Sequence, residues 1–324
     1  MRTTRRPWVA VSALVAVAAL AGGCTIEEEP EATTVGEGSI KEIDSVSGAA
    51  ITVSSKEFDE QLLLGQIAIV ALRAAGAEPV DKTNITGSAN VRQALTTGEV
   101  DLYWEYTGTG WITFLKNTKP IPDAEELYDA VKEADVANDI IWWARSPAND
   151  TYAIAVNQEG LEKYGTKTLS EYATLAQKDP AGASTCLGPE FKSRDDGFSG
   201  LQKAYGFTLP DANISLLNDA VVYDTAGKGG TCNFGVVATT DGRVSAQNLT
   251  PLEDDKHFFP IYNPAITIRA EVAEQYPELE QVFEPIAEKL DTETLTGLNE
   301  KVSVDGEKPV DVATEWLKAE GFIS

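Results

Sequence analysis

The chain has a single histidine, His257, in the run Asp254-Asp255-Lys256-His257-Phe258-Phe259-Pro260. One imidazole with no second histidine and no cysteine cluster offers no metal site. Neither a Gly-x-Ser-x-Gly elbow nor a phosphate-binding loop is present. Paired carboxylates abound, but among 51 acidic residues a pair says nothing about acid–base catalysis. The expectation is a protein that is not an enzyme and needs no metal or other cofactor, with His257 serving a loop. The remaining reactive side chains are three cysteines, Cys24, Cys186 and Cys232.

Cys24 belongs to the N-terminus. Arg2, Arg5 and Arg6 form a positive segment, Trp8 to Leu20 an apolar one, and Ala21-Gly22-Gly23 precede the cysteine. This is the pattern of a signal peptide over residues 1–23. Its apolar stretch falls short of the roughly 20 residues a membrane span needs. It resembles a bacterial lipobox, which implies cleavage before Cys24, acylation of its sulfur and an extracytoplasmic protein anchored to the cell membrane. Ordinary secretion with Cys24 as a free thiol is the alternative. Residues 24–48, with Glu27-Glu28-Glu29-Pro30-Glu31, read as a flexible tether. In an oxidising compartment Cys186 and Cys232 are expected to pair; the alternative is two buried thiols.

Charge narrows the partners. Without Arg2, Arg5 and Arg6 the chain carries 23 basic and 51 acidic residues, a formal charge of −28. Such a surface repels nucleic acid and anionic lipid, and basic residues that cluster are expected to have local work. Past the signal peptide no apolar run reaches spanning length, so a soluble body of two ordinary-sized lobes is expected.

The elements that must position any site alternate. Ala50 to Val53 reads as a buried strand and Ser54 to Phe58 as a turn. Leu63, Ile67, Val70 and Ala74 recur at helical spacing up to Gly76. A helix from about Ser88 to Gly98 leads into a strand at Asp101 to Trp104. Near Ala148 the pattern restarts with a strand at Tyr152 to Val156 and a capping box at Thr168 to Glu171. Strands follow at Phe234 to Val237 and Ala265 to Ile268. The last helix starts near Pro309 and stops at Gly321. Alternation of this kind predicts an α/β fold with parallel sheets covered on both faces.

Several blocks occur in a particular order. They are Ser54-Ser55-Lys56-Glu57-Phe58-Asp59-Glu60-Gln61, Val91-Arg92-Gln93-Ala94-Leu95, and Gly98 through Thr109 with Tyr103-Trp104-Glu105-Tyr106-Thr107-Gly108. Then come Asp150-Thr151-Tyr152-Ala153, Arg194-Asp195-Asp196-Gly197, Gly200 to Gly206, Thr240-Asp241-Gly242-Arg243, Leu252 to Pro260 and Tyr262. The series resembles the substrate-binding proteins of glycine betaine/carnitine/choline ABC transporters, the ProX/OpuBC/OsmF-type family, from Ile51 to Ile323.

That resemblance implies a type II periplasmic-binding-protein clamp, two α/β lobes joined by a two-strand hinge. Residues 49–148 plus 258–324 would form lobe 1 and residues 149–257 lobe 2, closing on a ligand between them. It implies a monomer that captures a quaternary-ammonium osmoprotectant and delivers it to an ABC permease with a separate ATPase. Glycine betaine is the first expectation, with proline betaine, carnitine or choline as alternatives. Other classes are a ligand-presenting sensory receptor and an extracellular enzyme acting on a betaine-like substrate. A quaternary ammonium has no N–H to donate and is held by the faces of aromatic rings. The family's cage tyrosines match Tyr106, Tyr152 and Tyr262; a fourth falls on Ala238. Its carboxylate-binding residues match Lys56, Thr109 and Arg194. Thr109 could also cap the helix running into Trp111. Trp104 and Trp111 flank the motif and are candidates for the missing ring or for the core.

Overall fold

In a computed structural model, residues 38–119 and 121–324 are described. The expected signal peptide, the lipidation site at Cys24 and the first part of the tether lie outside them. The tether expected to run to Gly48 ends sooner. Ile40 and Val46 are buried, and the Ser39 and Ile40 amides donate to the carbonyls of Gly321 and Phe322. Two apolar side chains with a place in the core, and backbone groups paired to the C-terminal residues, hold this segment to the body.

Ten strands form two sheets. In chain order they are β1 (Ala50–Lys56), β2 (Glu78–Ile85), β3 (Leu102–Tyr106), β4 (Ile140–Trp143), β5 (Tyr152–Val156), β6 (Thr185–Leu187), β7 (Ile214–Leu216), β8 (Phe234–Ala238), β9 (Thr250–Pro251) and β10 (Pro264–Arg269). The first sheet has the order β2-β1-β3-β10-β4 and the second β7-β6-β8-β5-β9. Each is mixed, which corrects the expectation of parallel sheets. In the first, β10 runs antiparallel to both β3 and β4; in the second, β5 runs antiparallel to both β8 and β9. The cause is the chain's path. β5 is the first strand after the chain leaves the first sheet, and β10 returns from the second sheet to lie between β3 and β4. Residues 144–151 and 252–263 are the two crossings. Neither strand arrives through a right-handed βαβ unit, which is the connection that enforces parallel pairing.

The cores explain which elements are rigid. Helix Asp59–Ala74 is buried on almost every side, with Leu63, Leu64, Ile67 and Leu72 among Trp104, Ile266, Phe283 and Leu317. A separate cluster in the second lobe joins Tyr172, Phe198, Phe207 and Phe234. The capping box expected at Thr168 is formed: Thr168 Oγ1 accepts from the Glu171 amide, and the Glu171 carboxylate accepts from the Thr168 amide. Cys186 on β6 and Cys232 just before β8 are bonded, beside Val222. Among the described residues no helix is long and apolar enough to cross a membrane.

Candidate functional site

The ends of β1, β3, β5 and β8 meet at a cavity of about 400 Å³ between the sheets. β1 continues through Lys56, past the turn expected at Ser54, because the serine hydroxyls are satisfied inside the sheet. Ser54 Oγ donates to Lys82 O and Ser55 Oγ to Lys56 O, both at 2.8 Å. Lys56 is therefore the last strand residue and lies on the cavity wall. Its ammonium is 2.6 Å from Glu105 Oε1 and 4.9 Å from the centre of the Tyr106 ring. Glu105 is itself held by the Tyr103 hydroxyl and the Tyr106 amide.

Six rings face the cavity: Phe58, Tyr106, Tyr152, Phe191, Tyr223 and Tyr262. Tyr152 and Tyr262 meet edge to face at 5.3 Å, Tyr152 and Phe191 are tilted at 4.8 Å, and Phe58 stacks on Tyr106 at 6.2 Å. Burial raises the tyrosine hydroxyls well above their ordinary range, so they stay neutral. Gly108 permits the approach of Tyr262: a Cβ there would lie 2.8 Å from two ring carbons and from Ile261 O.

Arg194 and Thr109 are not on the wall. Arg194 lies behind Tyr152, its guanidinium carbon 5.8 Å from the ring centre. It is paired with Asp196 through Nε (2.7 Å) and Nη2 (2.5 Å), with Glu190 at 3.0 Å, and donates to Thr109 Oγ1 at 3.3 Å. Asp196 also accepts from the Tyr262 hydroxyl at 2.8 Å. Burial opposes the Arg194 charge, but Tyr152 and Asp196 outweigh it and raise its pKa further. Burial likewise opposes ionisation of Glu190, yet Lys56 and Arg194 hold its carboxyl below the usual range. Thr109 opens a short π-type turn, Thr109–Phe114, and is not its cap; Gly108 holds that position.

Ala238 is the cross-strand partner of Tyr152, and its amide donates to the Tyr223 hydroxyl at 3.0 Å. Tyr223, from helix Asp219–Lys228, thus stands beside the position where the resemblance implies a ring. The Arg243 guanidinium sits 4.6 Å from the centre of that ring, clamped by Asp241 and 3.1 Å from Asp59. Trp104 belongs to the first core, and Trp111 packs in another cluster while donating to Lys119 O. Neither reaches the cavity. His257 is exposed, in a turn closed by its amide on Asp254 O. Among the described residues no group of histidine, cysteine or carboxylate could hold a metal ion.

Sequence reasoning passed over Phe58, Glu60, Asp150, Thr240 and Arg243 as site residues, although all lie inside the quoted blocks. Phe191, Tyr223 and Asn299 carried no local signal. The wall has seven carboxyl residues and, as cations, only Lys56 and Arg243. Both cations are already matched by protein carboxylates, so the cavity favours a positive group against its rings.

Several polar contacts cross between the lobes. Thr240 Oγ1 reaches Glu60 Oε2 at 2.6 Å, the Ser88 amide donates to Glu190 at 3.2 Å, and Arg243 reaches Asp59. The cavity is therefore bridged on more than one side.

Comparison with known proteins gives a consistent family. Residues 49–319 match the family described as the substrate binding domain of ABC-type glycine betaine transport systems. The chain is 34% identical over 273 residues to a glycine-betaine-binding protein of Pseudomonas aeruginosa, covering 83% of this chain and 87% of that one. It is 32% identical over 283 residues to an ergothioneine transport permease/ergothioneine binding protein, EgtU, of Helicobacter pylori, covering 86% of this chain and 49% of that protein. The solved structure of apo YehZ from Escherichia coli superposes with a TM-score of 0.62 at 33% identity, over 85% of this chain and all of that one.

Proposed function

Because the chain belongs to the family of substrate-binding domains of ABC-type glycine betaine transport systems, we propose that it captures a betaine in the interlobe cavity and delivers it to a membrane permease. The carrying observation is the cavity itself. Rings from both lobes surround about 400 Å³, Lys56 stands at the wall, and carboxylates already balance the nearby cations. Tyr106, Tyr152 and Tyr262 would hold the trimethylammonium group. Lys56 would meet the carboxylate, and Arg194, bonded to Thr109, would hold the Tyr152 ring from behind. The lobes, residues 49–148 plus 258–324 and 149–257, would close about the two crossings. The protein would act outside the cytoplasm as a monomer, anchored through acylated Cys24, with the ATPase on another chain. It would bind without turnover.

Calorimetry against glycine betaine, proline betaine, carnitine and choline tests this. Saturable binding of a carboxylate-bearing quaternary ammonium, with choline weaker, is expected. Absence of binding to all four would refute the reading. Ala238 favours a second reading, a bulkier betaine. A methyl group stands opposite Tyr152, and a volume of 400 Å³ lies in the range of sites for larger small molecules, about 300–1,000 Å³. Ergothioneine added to the same titration series decides it.

A further inference from the structure

At the foot of the cleft two buried carboxyl groups touch one hydroxyl. Thr240 Oγ1 lies 2.6 Å from Glu60 Oε2 and 2.6 Å from Asp150 Oδ1. A threonine hydroxyl has one proton. Two hydrogen bonds from one oxygen to two carboxyl oxygens therefore need a second proton, and it must sit on Glu60 or on Asp150.

The surroundings choose between them. Glu60 accepts from three donors: the Tyr106 hydroxyl on Oε1 at 2.8 Å, and Asn299 Nδ2 (2.6 Å) and Thr240 on Oε2. The Asn299 amide cannot be turned round, because the same Nδ2 also donates to Thr240 O at 3.0 Å. Three donors converging on Glu60 favour its ionised form. Asp150 has two side-chain partners, the Thr240 hydroxyl and the Glu60 carboxylate itself, and the contact with Glu60 favours the proton on Asp150. Burial first, then the Glu60 charge, pushes Asp150 well above the ordinary carboxylate range. Burial raises Glu60 as well; its partners Thr240, Asn299, Tyr106 and Asp150 offset part of that rise, and it stays less perturbed than Asp150.

We infer that Asp150 is a neutral carboxylic acid in the working protein. It donates to Thr240 Oγ1, which in turn donates to Glu60 and leaves Glu60 the fixed anion that positions the Tyr106 ring. The relay joins three parts of the molecule. Glu60, Tyr106 and Asn299 come from the lobe of the first sheet, Thr240 follows β8 in the other lobe, and Asp150 lies in the crossing between them. It therefore closes the base of the cleft and places a negative charge behind a ring that reads a cation. Glu60 acts on the ligand through Tyr106, so it is a positioning residue.

The relay depends on pH. Tyr106 on β3, Tyr152 on β5, Tyr223 on its helix and Asp241 lie within electrostatic reach of the pair, and Lys56, Asp59 and Arg243 line the same cavity. The two cations on the wall are already tied, Arg243 by Asp241 and Asp59 and Lys56 by Glu105. No free positive charge among these groups compensates a second anion. As pH rises through the elevated Asp150 pKa the proton leaves. Two carboxylates then share one hydroxyl proton across the lobes, and closure weakens.

Carbon-13 NMR of the intact, ligand-free protein tests the proton directly, and it stands whether or not a betaine is the ligand. With aspartate labelled at Cγ in one sample and glutamate at Cδ in another, one aspartate is expected in the neutral-acid form near pH 7. Its signal should vanish in Asp150→Asn, and the labelling identifies the residue type even if that variant fails to fold. No neutral carboxyl near pH 7, or a neutral glutamate in place of an aspartate, overturns the inference. The binding arm rests on the proposed function. Affinity for glycine betaine should fall about tenfold as pH rises through the Asp150 titration, and Glu60→Gln should weaken it about tenfold at pH 7. In Asp150→Asn the pH dependence should flatten. A wild-type profile that stays flat, or an unaltered slope in Asp150→Asn, also overturns it.

Discussion

The two lobes are built on sheets of the same strand order, yet they treat their site cations differently. In the first lobe β1 ends on Lys56, which stands on the cavity wall with Glu105 as its partner. In the second, Arg194 sits a layer back, locked to Asp196 and Glu190 behind Tyr152. The strands differ too. β1 has seven residues and lies over a nearly all-buried helix, whereas β6 and β7 have three each, and the Cys186–Cys232 bond ties β6 to the start of β8. The first lobe therefore resembles a rigid wall supplied by packing. The second is a shorter frame that depends on specific links. A cation on a wall can meet a ligand directly, while one behind a ring acts through that ring.

The largest effect that separates the lobes should come from Lys56→Met. Glu105 is fully buried, and removing its ammonium leaves an uncompensated charge, a loss of about 3–5 kcal/mol. Urea unfolding should show the loss, and a change under 1 kcal/mol would mean the pair is not what holds the β1 end. Arg194→Ala comes next. Because Arg194 is off the wall and positions Tyr152 and Asp196, it should weaken glycine betaine and choline alike, by about 2–5 kcal/mol. Calorimetry that found a loss for the betaine alone would instead put the guanidinium on the ligand carboxylate.

The disulfide ranks third. Replacing Cys186 and Cys232 together by serine should cost about 2–4 kcal/mol in the second lobe. Hydrogen exchange should rise in β6 and β8 before β1 and β3. Uniform loss across both lobes would remove the contrast between wall and frame. The smallest effect belongs to Ala238→Tyr. The new ring would stand directly across from Tyr152 on β5. For a simple betaine it should tighten binding by about 0.5–2 kcal/mol. For a bulkier ligand it should abolish binding while that of glycine betaine is kept or gained, and the same titration series reads both.

Local chemistry determined much of this protein. Hydrophobic periodicity placed β1, the helix after it, β5 and β10 within a few residues, because buried faces repeat at 2 and 3.6 residues wherever they occur. The Thr168 capping box was readable for the same reason: all its partners lie within four residues. The order of short blocks placed Lys56, Tyr106, Tyr152 and Tyr262 on one cavity. The mixed sheets were not readable, because strand direction depends on which lobe the chain has just left, and no local pattern records that. The neutralisation of Arg194 by Asp196 was two residues away and still hidden, since 51 acidic residues make any nearby carboxylate uninformative until geometry selects one. Tyr223 beside Ala238, and Asn299 on Glu60, come from 15 and 239 residues away in the chain. Only packing brings them within hydrogen-bond reach, and Asn299 thereby completes the set of donors that holds Glu60 at the foot of the cleft.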